Sequence, residues 1–256
     1  MTDTESNARP VTTVETSFEI LEHLKRDGEL TLTEVTDRLG LAKSTVHRHL
    51  TTLTENGYVV RSGDSYRIGL KFLDFGVRAR DDHVLSPVVQ PKVDELATET
   101  GEKCWCITEE HGMGIHIYGA SGKHPVQTYA RLGQQTHLHQ HAAGKAILAH
   151  LPSERVEAIV DQFGLPAKTD RTITDRAELF AELETIRERG YAFNNEESVV
   201  GLHAVGAPIC DEDGVALGAI SISGPANRLK GSYFESELPD LLLGATNEIE
   251  INLVFS

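Results

Sequence analysis

The stretch LTLTEVTDRLGLAKSTVHRHLTTLTENG, residues 30–57, decides the fold of the N-terminal part of the chain. Thr31 is followed three positions later by Glu34, which is the pattern of a helix-capping box. Gly40 predicts a tight turn, and the apolar spacing over residues 42–56 predicts a second helix. Two short helices joined by a glycine turn predict a helix-turn-helix motif.

The flanking segments extend this motif. Residues 11–27 place apolar side chains at helical spacing, and Gly28 ends the predicted helix. After the central stretch, the β-rich runs YVVR and SYRIG are separated by Ser62-Gly63-Asp64, which is a hairpin signal. Three helices followed by a hairpin predict a winged helix-turn-helix. The apolar stripe expected on the first helix consists of Val14, Phe18, Leu21 and Leu24.

The third helix of such a motif enters the major groove of double-stranded DNA with its N-terminal side chains. Here that end is rich in short polar and basic residues, and the wing carries two arginines. Leu41, just before the helix, is expected in the core, while His49 is left open between packing and DNA contact. The predicted DNA-binding residues are Lys43, Ser44, Thr45, His47 and Arg48, with Arg61 and Arg67 on phosphate.

The charge of the whole chain at first argues against DNA binding. The 256 residues contain 24 Lys and Arg against 39 Asp and Glu, a net charge of −15. Residues 38–71, however, contain six basic and two acidic side chains. Because phosphate neutralisation is short-ranged, this local excess indicates DNA binding more strongly than the total argues against it. A three-helix domain used for protein contacts is the alternative. The acidity itself resembles that of proteins from salt-accumulating halophiles.

The remainder of the chain predicts a second domain. Paired strands with interspersed helices are typical of an α+β domain built around an antiparallel sheet. The predicted organisation is a disordered leader over 1–10, the winged helix-turn-helix over 11–70, a linker helix over 71–82 and the α+β domain over 83–256.

Several motifs, in order along the chain, resemble the IclR family of transcription regulators. They are GLAKSTVHRHLTTLTENGYV at 40–59, YRIGLKFLDFG at 66–76, TGE at 100–102, HAAGKAILA at 141–149, GYAFNNEESVVGLHAVGAPI at 190–209, AISISGP at 219–225 and Arg228. The resemblance covers residues 11–254. It implies a C-terminal GAF-like domain that binds a small-molecule effector, and a homodimer or homotetramer on paired DNA half-sites.

The resemblance also implies a set of pocket residues. The start of the GKA helix would direct backbone N–H groups at a carboxylate or sugar-acid metabolite of a catabolic pathway. The implied effector-binding residues are Thr128, Thr136, His139, Ala142, Ala143, Asn194, Leu202, Ala204, Ser221 and Ser223. The sequence departs from the family pattern at three places. Ala204 stands where a cysteine is common, and Asn194 stands where an aspartate is common. His137 and His141 replace the usual proline, threonine or serine around the GKA loop. These departures leave the effector class open.

An alternative function is a metal sensor on the same scaffold. In a strand, alternating residues share a face, and imidazole and thiolate are ligands that Zn²⁺ prefers. The candidate ligands are His137, His139, His141, Cys104 and Cys106. The alternative is that these histidines pack or hydrogen-bond locally and that the cysteines are buried apolar residues.

Catalysis, cofactors and membranes are not predicted. The chain contains no G-x-S-x-G elbow and no glycine-rich phosphate loop, and Glu196-Glu197 is interpreted as a cap or salt-bridge feature. Three cysteines do not form a disulfide framework, and the polar, acidic start is unlike a signal peptide. With no apolar run of membrane-spanning length, these features predict a cytoplasmic protein.

Overall fold

The computed structural model describes residues 9–124 and 130–254, and it divides between Ala79 and Arg80 into two compact units. The first unit contains α1 (Thr12–Asp27), β1 (Leu30–Thr31), α2 (Leu32–Leu39), α3 (Lys43–Glu55), β2 (Val59–Ser62) and β3 (Ser65–Ile68). Its three strands form an antiparallel sheet in the order β1-β3-β2. A further helix, α4 (Lys71–Asp81), crosses the division.

The capping box starts the helix-turn-helix. The Glu34 backbone N–H donates to Thr31 Oγ1 at 3.2 Å, and the Thr31 N–H donates to Glu34 Oε2 at 2.7 Å. Gly40 then adopts the left-handed conformation, with φ 63°, between α2 and α3. Because a side chain with a Cβ is disfavoured there, this glycine supports the predicted turn.

The apolar stripe predicted for α1 is wrong in its first half. Val14 and Phe18 are 48% and 61% exposed, whereas Ile20 and Leu24 are buried in the core of the first unit. Phe18 lies about 200° around the helix from Ile20, so the two side chains cannot face the same core. Leu41 is also exposed rather than buried.

The second unit is built on a six-stranded antiparallel sheet in the order β6-β5-β4-β9-β8-β7. The strands are β4 (Lys103–Glu110), β5 (Met113–Ser121), β6 (Gln135–Thr136), β7 (Ala192–Asn195), β8 (Leu202–Cys210) and β9 (Ala216–Pro225). The helices are α5 (Ser86–Thr100), α6 (Ala142–Ala149), α7 (Ser153–Phe163), α8 (Arg176–Arg189) and α9 (Leu238–Val254), with a 3₁₀ turn at Leu138–Gln140 and a π turn at Tyr233–Glu237.

Helices cover both faces of this sheet. One face packs on α5 and α9, and alternation along β4 places Cys104 and Cys106 there. The other face packs on α6, α7 and α8, and Trp105 and Ile107 of the same strand point to it. Two apolar layers on one antiparallel sheet confirm the predicted α+β class. Within the described ranges, no helix is long and apolar enough to cross a membrane.

Candidate functional site

A cavity of about 290 Å³ opens on the α6 face of the sheet. Its wall contains most of the residues that the sequence assigned to an effector pocket. Ser221 and Ser223 alternate along β9, and Ser223 pairs with Ala204 on β8, so these side chains reach the same face. The predicted residues that line the cavity are Thr136, Ala142, Asn194, Leu202, Ala204, Ser221 and Ser223.

Of the remaining three predicted residues, Ala143 and His139 do not line the cavity. Ala143 is fully buried against β8, where a Cβ on Gly206 would lie 2.5 Å from the Ala143 backbone nitrogen. His139 is turned away, with its Nε2 atom 3.2 Å from the Pro166 carbonyl oxygen. Thr128 lies outside the described residues.

Nine further residues line the cavity and were not assigned to it from the sequence. Trp105 and Ile107 could have been found from the alternation along β4, since they face opposite to the two cysteines. Lys168 lies in a loop, where no periodicity could have indicated its direction. The additional residues are Trp105, Ile107, His116, Ala130, Gln134, His141, Lys168, Ser198 and Val199.

Trp105 forms an aromatic part of the wall because a glycine lies opposite it on β5. A Cβ on Gly119 would come within 2.3 Å of Trp105 Cε3, so only glycine leaves room for the indole in this position. The Lys103 ammonium lies 4.4 Å from the indole centroid. The imidazole of His116 packs edge-on against the indole at 4.9 Å. Trp105 is therefore fixed between an aromatic edge and a cation.

Two neutral imidazoles form the polar end of the cavity near β5 and β6. Burial lowers the pKa of His141 to about 3, with Lys168 and the nearby histidines adding to the effect. Burial also lowers the pKa of His116. His141 Nε2 lies 2.5 Å from Thr136 Oγ1, and His116 Nδ1 lies 3.2 Å from the Gln134 carbonyl oxygen. Both rings are therefore uncharged near neutral pH.

The cavity has a positive electrostatic character. In the described part of the wall, Lys168 is the one charged side chain, and no carboxylate lines the cavity. Its ammonium has no ion-pair partner among the residues that the structure describes. The N-terminus of α6 also lies at the wall through Ala142, and no side chain caps it. A cation and a helix N-terminus both favour a bound anion.

The side-chain amide of Asn194, which also lines the cavity, forms hydrogen bonds that leave it little capacity for a ligand. Asn194 Nδ2 donates to the Gln140 carbonyl at 2.7 Å, and its Oδ1 accepts from the Glu197 N–H at 3.1 Å. Thr169 and Thr172 donate to backbone carbonyls at Glu196 and Glu197. Asn194 therefore orders the loop that follows β7 more than it presents polar atoms to the cavity.

The Glu196-Glu197 pair forms salt bridges, as interpreted from the sequence. Glu197 contacts the buried Lys145 ammonium at 2.7 Å, and Glu196 contacts Arg171 at 3.1 Å. Both glutamates are thus engaged in holding the loop.

The five candidate metal ligands do not come together. Residues 135–141 are not one strand, because β6 ends at Thr136, a 3₁₀ turn follows, and His141 is the N-cap of α6. The three histidines therefore do not share a face. Cys104 and Cys106 lie on the opposite side of the sheet, beneath α5 and α9. Across residues 9–124 and 130–254, no three His, Cys, Asp or Glu side chains are grouped to hold a metal ion.

The predicted DNA-contacting side chains lie at the exposed start of α3. Lys43, Ser44, His47 and Arg48 are exposed, and Thr45 is half-buried. His49 points inward instead, with Nδ1 2.9 Å from Ser17 Oγ on α1.

Arg61 and Arg67 are exposed on the strands of the wing. Each guanidinium donates to a nearby backbone carbonyl, Arg61 to Gly63 at 2.9 Å and Arg67 to Ile68 at 3.3 Å. These bonds use only part of the five donors of an arginine, so both side chains retain donors for phosphate.

Two protein-family models match the two units of the chain. The IclR helix-turn-helix domain matches residues 13–63, and the bacterial transcriptional regulator IclR C-terminal domain matches residues 78–250. The chain belongs to the IclR family. This IclR-family protein is a DNA-binding transcription regulator with an N-terminal helix-turn-helix domain and a C-terminal effector domain.

Individual relatives extend over nearly the whole chain. The probable HTH-type transcriptional regulator ArcR of Halobacterium salinarum is 34% identical over 249 residues, covering 96% of this chain and 95% of ArcR. The crystal structure of Thermotoga maritima IclR matches with a TM-score of 0.77 at 30% identity, covering 94% of this chain and 98% of that one. An IclR homolog of Microbacterium hydrocarbonoxydans, crystallised with 4-hydroxybenzoate, shares the fold with a TM-score of 0.79 at 22% identity, covering 95% and 100%.

Proposed function

We propose that this IclR-family regulator binds a small organic carboxylate in the cavity beneath α6 and that binding changes its affinity for operator DNA. The observation that carries the proposal is the charge of the wall, where Lys168 is accompanied by no carboxylate in the described part. An anion would be stabilised by this ammonium and by the uncapped start of α6. A cationic effector would meet like charge without compensation.

The apolar part of the wall selects the body of the effector. Trp105, Ile107 and Leu202 provide a broad apolar surface that suits a ring or a short aliphatic chain. The homolog from Microbacterium hydrocarbonoxydans was crystallised with 4-hydroxybenzoate, a carboxylate on a ring. That similarity of fold supports the same general ligand chemistry here.

The DNA side of the proposal rests on the exposed start of α3. Lys43, Ser44, Thr45, His47 and Arg48 are proposed to face the major groove, with the wing arginines Arg61 and Arg67 on phosphate. A homodimer or homotetramer would present two such helices to paired half-sites. The effector regulates only if it binds the DNA-competent and DNA-incompetent arrangements with different affinity.

Binding of benzoate and of its neutral analogue benzamide tests the charge requirement. Trp105 is the one tryptophan of the chain and lines the cavity, so its fluorescence reports occupancy directly. We expect benzoate to bind more tightly than benzamide. We expect Lys168→Gln to weaken benzoate binding about tenfold, since a charge-assisted contact contributes roughly 1.5–3 kcal/mol and this one is partly solvated.

The matched control is Lys230→Gln, which removes an exposed lysine that does not line the cavity. It should leave benzoate affinity unchanged. Equal affinity for benzoate and benzamide, or unchanged benzoate binding in Lys168→Gln, would contradict a carboxylate effector held at this site.

A further inference from the structure

His83 lies in the short turn between α4 and α5, at the start of the second unit. Its backbone closes this turn, because its N–H donates to the Arg80 carbonyl at 3.0 Å and its carbonyl accepts from the Ser86 N–H at 2.9 Å. The imidazole is half-buried and contacts the sheet of the second unit. His83 therefore belongs to the segment through which α4 is joined to that sheet.

The imidazole takes part in three consecutive hydrogen bonds whose directions are fixed. The Leu85 backbone N–H can only donate, and it lies 3.3 Å from His83 Nδ1, so Nδ1 is the acceptor. In the neutral ring Nε2 then carries the proton and donates to Thr108 Oγ1 at 3.1 Å. Thr108 in turn donates to the Leu217 carbonyl at 2.9 Å. The bonds thus lead from the start of α5 through β4 to β9.

Apolar packing holds α5 next to this relay of hydrogen bonds. Leu85 is fully buried, and Gly218 on β9 leaves room for it, because a Cβ on Gly218 would lie 2.6 Å from Leu85 Cδ1. Val89, one turn further along α5, is also buried. These contacts do not involve the His83 ring. Loss of its hydrogen bonds would therefore free the turn without detaching α5 from the sheet.

The relay requires a neutral His83. A proton on Nδ1 would point at the Leu85 N–H, so that two donors would face each other where a hydrogen bond now exists. The contacts of the ring with α5 and β9 are made through uncharged groups, which are the Leu85 N–H and, by way of the Thr108 hydroxyl, the Leu217 carbonyl. None of these groups stabilises a charge on the ring at the position of Nδ1.

The charged groups around the ring come from β4 and from the turn itself. Burial lowers the pKa of His83, and the Glu110 carboxylate at the end of β4 opposes this effect in part. On the turn, Arg80 and Asp81 pair with each other at 2.7 Å, and Asp82 is exposed. The ring is therefore neutral at pH 7 and above, and it is protonated only in acidic solution.

We propose that His83 is a pH-operated latch that holds the turn between α4 and α5 on the sheet and releases it when the ring is protonated. The contribution of the latch is complete above about pH 6.5, the pKa of an exposed imidazole. It is lost as the pH falls through the lower pKa of the folded ring. Histidines kept neutral by burial act as pH sensors in this way.

The latch would connect acidity to DNA binding. The helix α4 begins in the unit that contains the helix-turn-helix and ends at the turn that His83 holds. A released turn has more conformational freedom, and DNA binding must then remove that freedom at a cost in affinity. This role does not depend on which ligand occupies the cavity.

Hydrogen exchange of the Leu85 amide tests the latch in the full-length protein. The protection factor is measured at pH 7.5 and at pH 5.5, each corrected for the exchange rate of an unfolded chain at the same pH. We expect protection in the native protein to fall about three- to tenfold, as follows from proton uptake by an opened ring with a pKa near 6.5. Equal protection at the two pH values would overturn the proposal.

His83→Asn is the variant that keeps the bond but cannot titrate. The side-chain oxygen of asparagine accepts readily from the N–H two residues further along, which here is that of Leu85. Its protection should be the same at pH 7.5 and 5.5. The control is His111→Asn, which removes an exposed histidine and should retain the native pH dependence. A pH effect that survives in His83→Asn would arise from another group, such as His141, and would contradict the latch.

A measurement on the native protein needs no variant. At pH 7.5 the ¹⁵N resonances of the His83 ring should show a protonated Nε2 and an unprotonated Nδ1, because Leu85 donates to Nδ1. A ring protonated on Nδ1 at this pH would rule out the relay.

Gel-shift titrations test the connection to DNA, with a genomic fragment selected by the native protein. Between pH 7.5 and 5.5 the native protein should lose about three- to tenfold more operator affinity than His83→Asn, which is the factor expected for Leu85 protection. His47 is exposed on α3 in both proteins, so its own titration cancels in the comparison. The same pH dependence in both proteins would show that the latch does not act on DNA binding.

Discussion

The ammonium of Lys145 on α6 and the carboxylate of Glu197 face each other in the interior of the second unit. Lys145 Nζ lies 2.8 Å from Oε1 and 2.7 Å from Oε2, and the two side chains are 2% and 8% exposed. Glu197 also donates its backbone N–H to Asn194 Oδ1 at the cavity wall. The pair thus connects α6 to the loop that follows β7.

Breaking this pair should be strongly destabilising. Lys145→Met leaves the Glu197 carboxylate buried without its charge partner, and such changes typically cost about 3–5 kcal/mol. The free energy of unfolding measured in urea should fall by this amount. The exposed pair Lys25 and Glu22, with side chains 54% and 67% exposed, is the control. Lys25→Met should change stability by less than about 1 kcal/mol. Similar costs for the two variants would contradict the structural role of the buried pair.

His141 should make the protein sensitive to mild acid. Its pKa is about 3 when folded and near 6.5 when unfolded, because burial disfavours the charged ring. Between these values the unfolded chain binds more protons, so stability is complete above pH 6.5 and is lost as the pH falls. The contribution is about 1.4 kcal/mol per pH unit.

His141→Asn should therefore flatten the dependence of unfolding free energy on pH between about 6.5 and 5. His111→Asn is the control, because His111 is exposed on a turn. His116, whose pKa burial also lowers, will leave part of the slope in place. An unchanged slope in His141→Asn would show that this ring is not kept neutral by burial.

His137, His139 and His141 belong to a part of the cavity region whose structure could not be predicted from the sequence. Alternation alone places Ser221 and Ser223 on one face of β9, because strand geometry has a fixed period. Residues 137–141 do not alternate in this way, because a 3₁₀ turn and a helix N-cap replace the predicted strand. The pairing of Lys145 with Glu197, 52 residues apart, depends on tertiary packing and has no local signal. The fold class could be predicted, but the position of Lys168 in the cavity wall required the structure.

Gly119 should be essential to the aromatic wall of the cavity. In Gly119→Ala the new methyl group would occupy space now filled by Trp105, whose Cε3 lies 2.3 Å from the Cβ position. We expect the indole to be displaced, with a shift of its fluorescence, weaker benzoate binding, and a loss of stability of about 1–3 kcal/mol, as is typical of overpacking. Gly244→Ala on α9, where nothing lies within 4 Å of the added Cβ, should leave both unchanged. Normal benzoate binding by Gly119→Ala would remove Trp105 from the proposed wall.

The start of α3 should determine operator affinity independently of the cavity. Arg48 and Lys43 are exposed there, so replacing either with alanine would remove a proposed DNA contact without disturbing the core. Each replacement should weaken binding by about 1–3 kcal/mol in gel-shift titrations on a genomic fragment selected by the native protein. Benzoate affinity should not change. Arg26→Ala, which removes an arginine at the end of α1, is the control. Unchanged DNA affinity in both α3 variants would show that the helix does not dock as proposed.

The distribution of charge along the chain predicts how DNA binding depends on salt concentration. Residues 76–256 contain 27 acidic and 15 basic side chains, whereas residues 38–71 contain two acidic and six basic ones. Such acidity in the second unit suits a protein that works in concentrated salt. For each phosphate contact, a tenfold rise in salt concentration lowers the affinity for DNA by about 0.9 log units. In concentrated salt, specificity must therefore depend on base contacts and apolar fit.

We therefore expect sequence-specific binding to persist in about 1 M KCl, with a shallow slope of log affinity against log salt. Lys43→Ala should reduce that slope by about 0.9 if its contact is to phosphate, whereas Ser44→Ala should leave it unchanged. Loss of specific binding at high KCl would mean that the acidity of the second unit is unrelated to the salt in which the protein reads DNA.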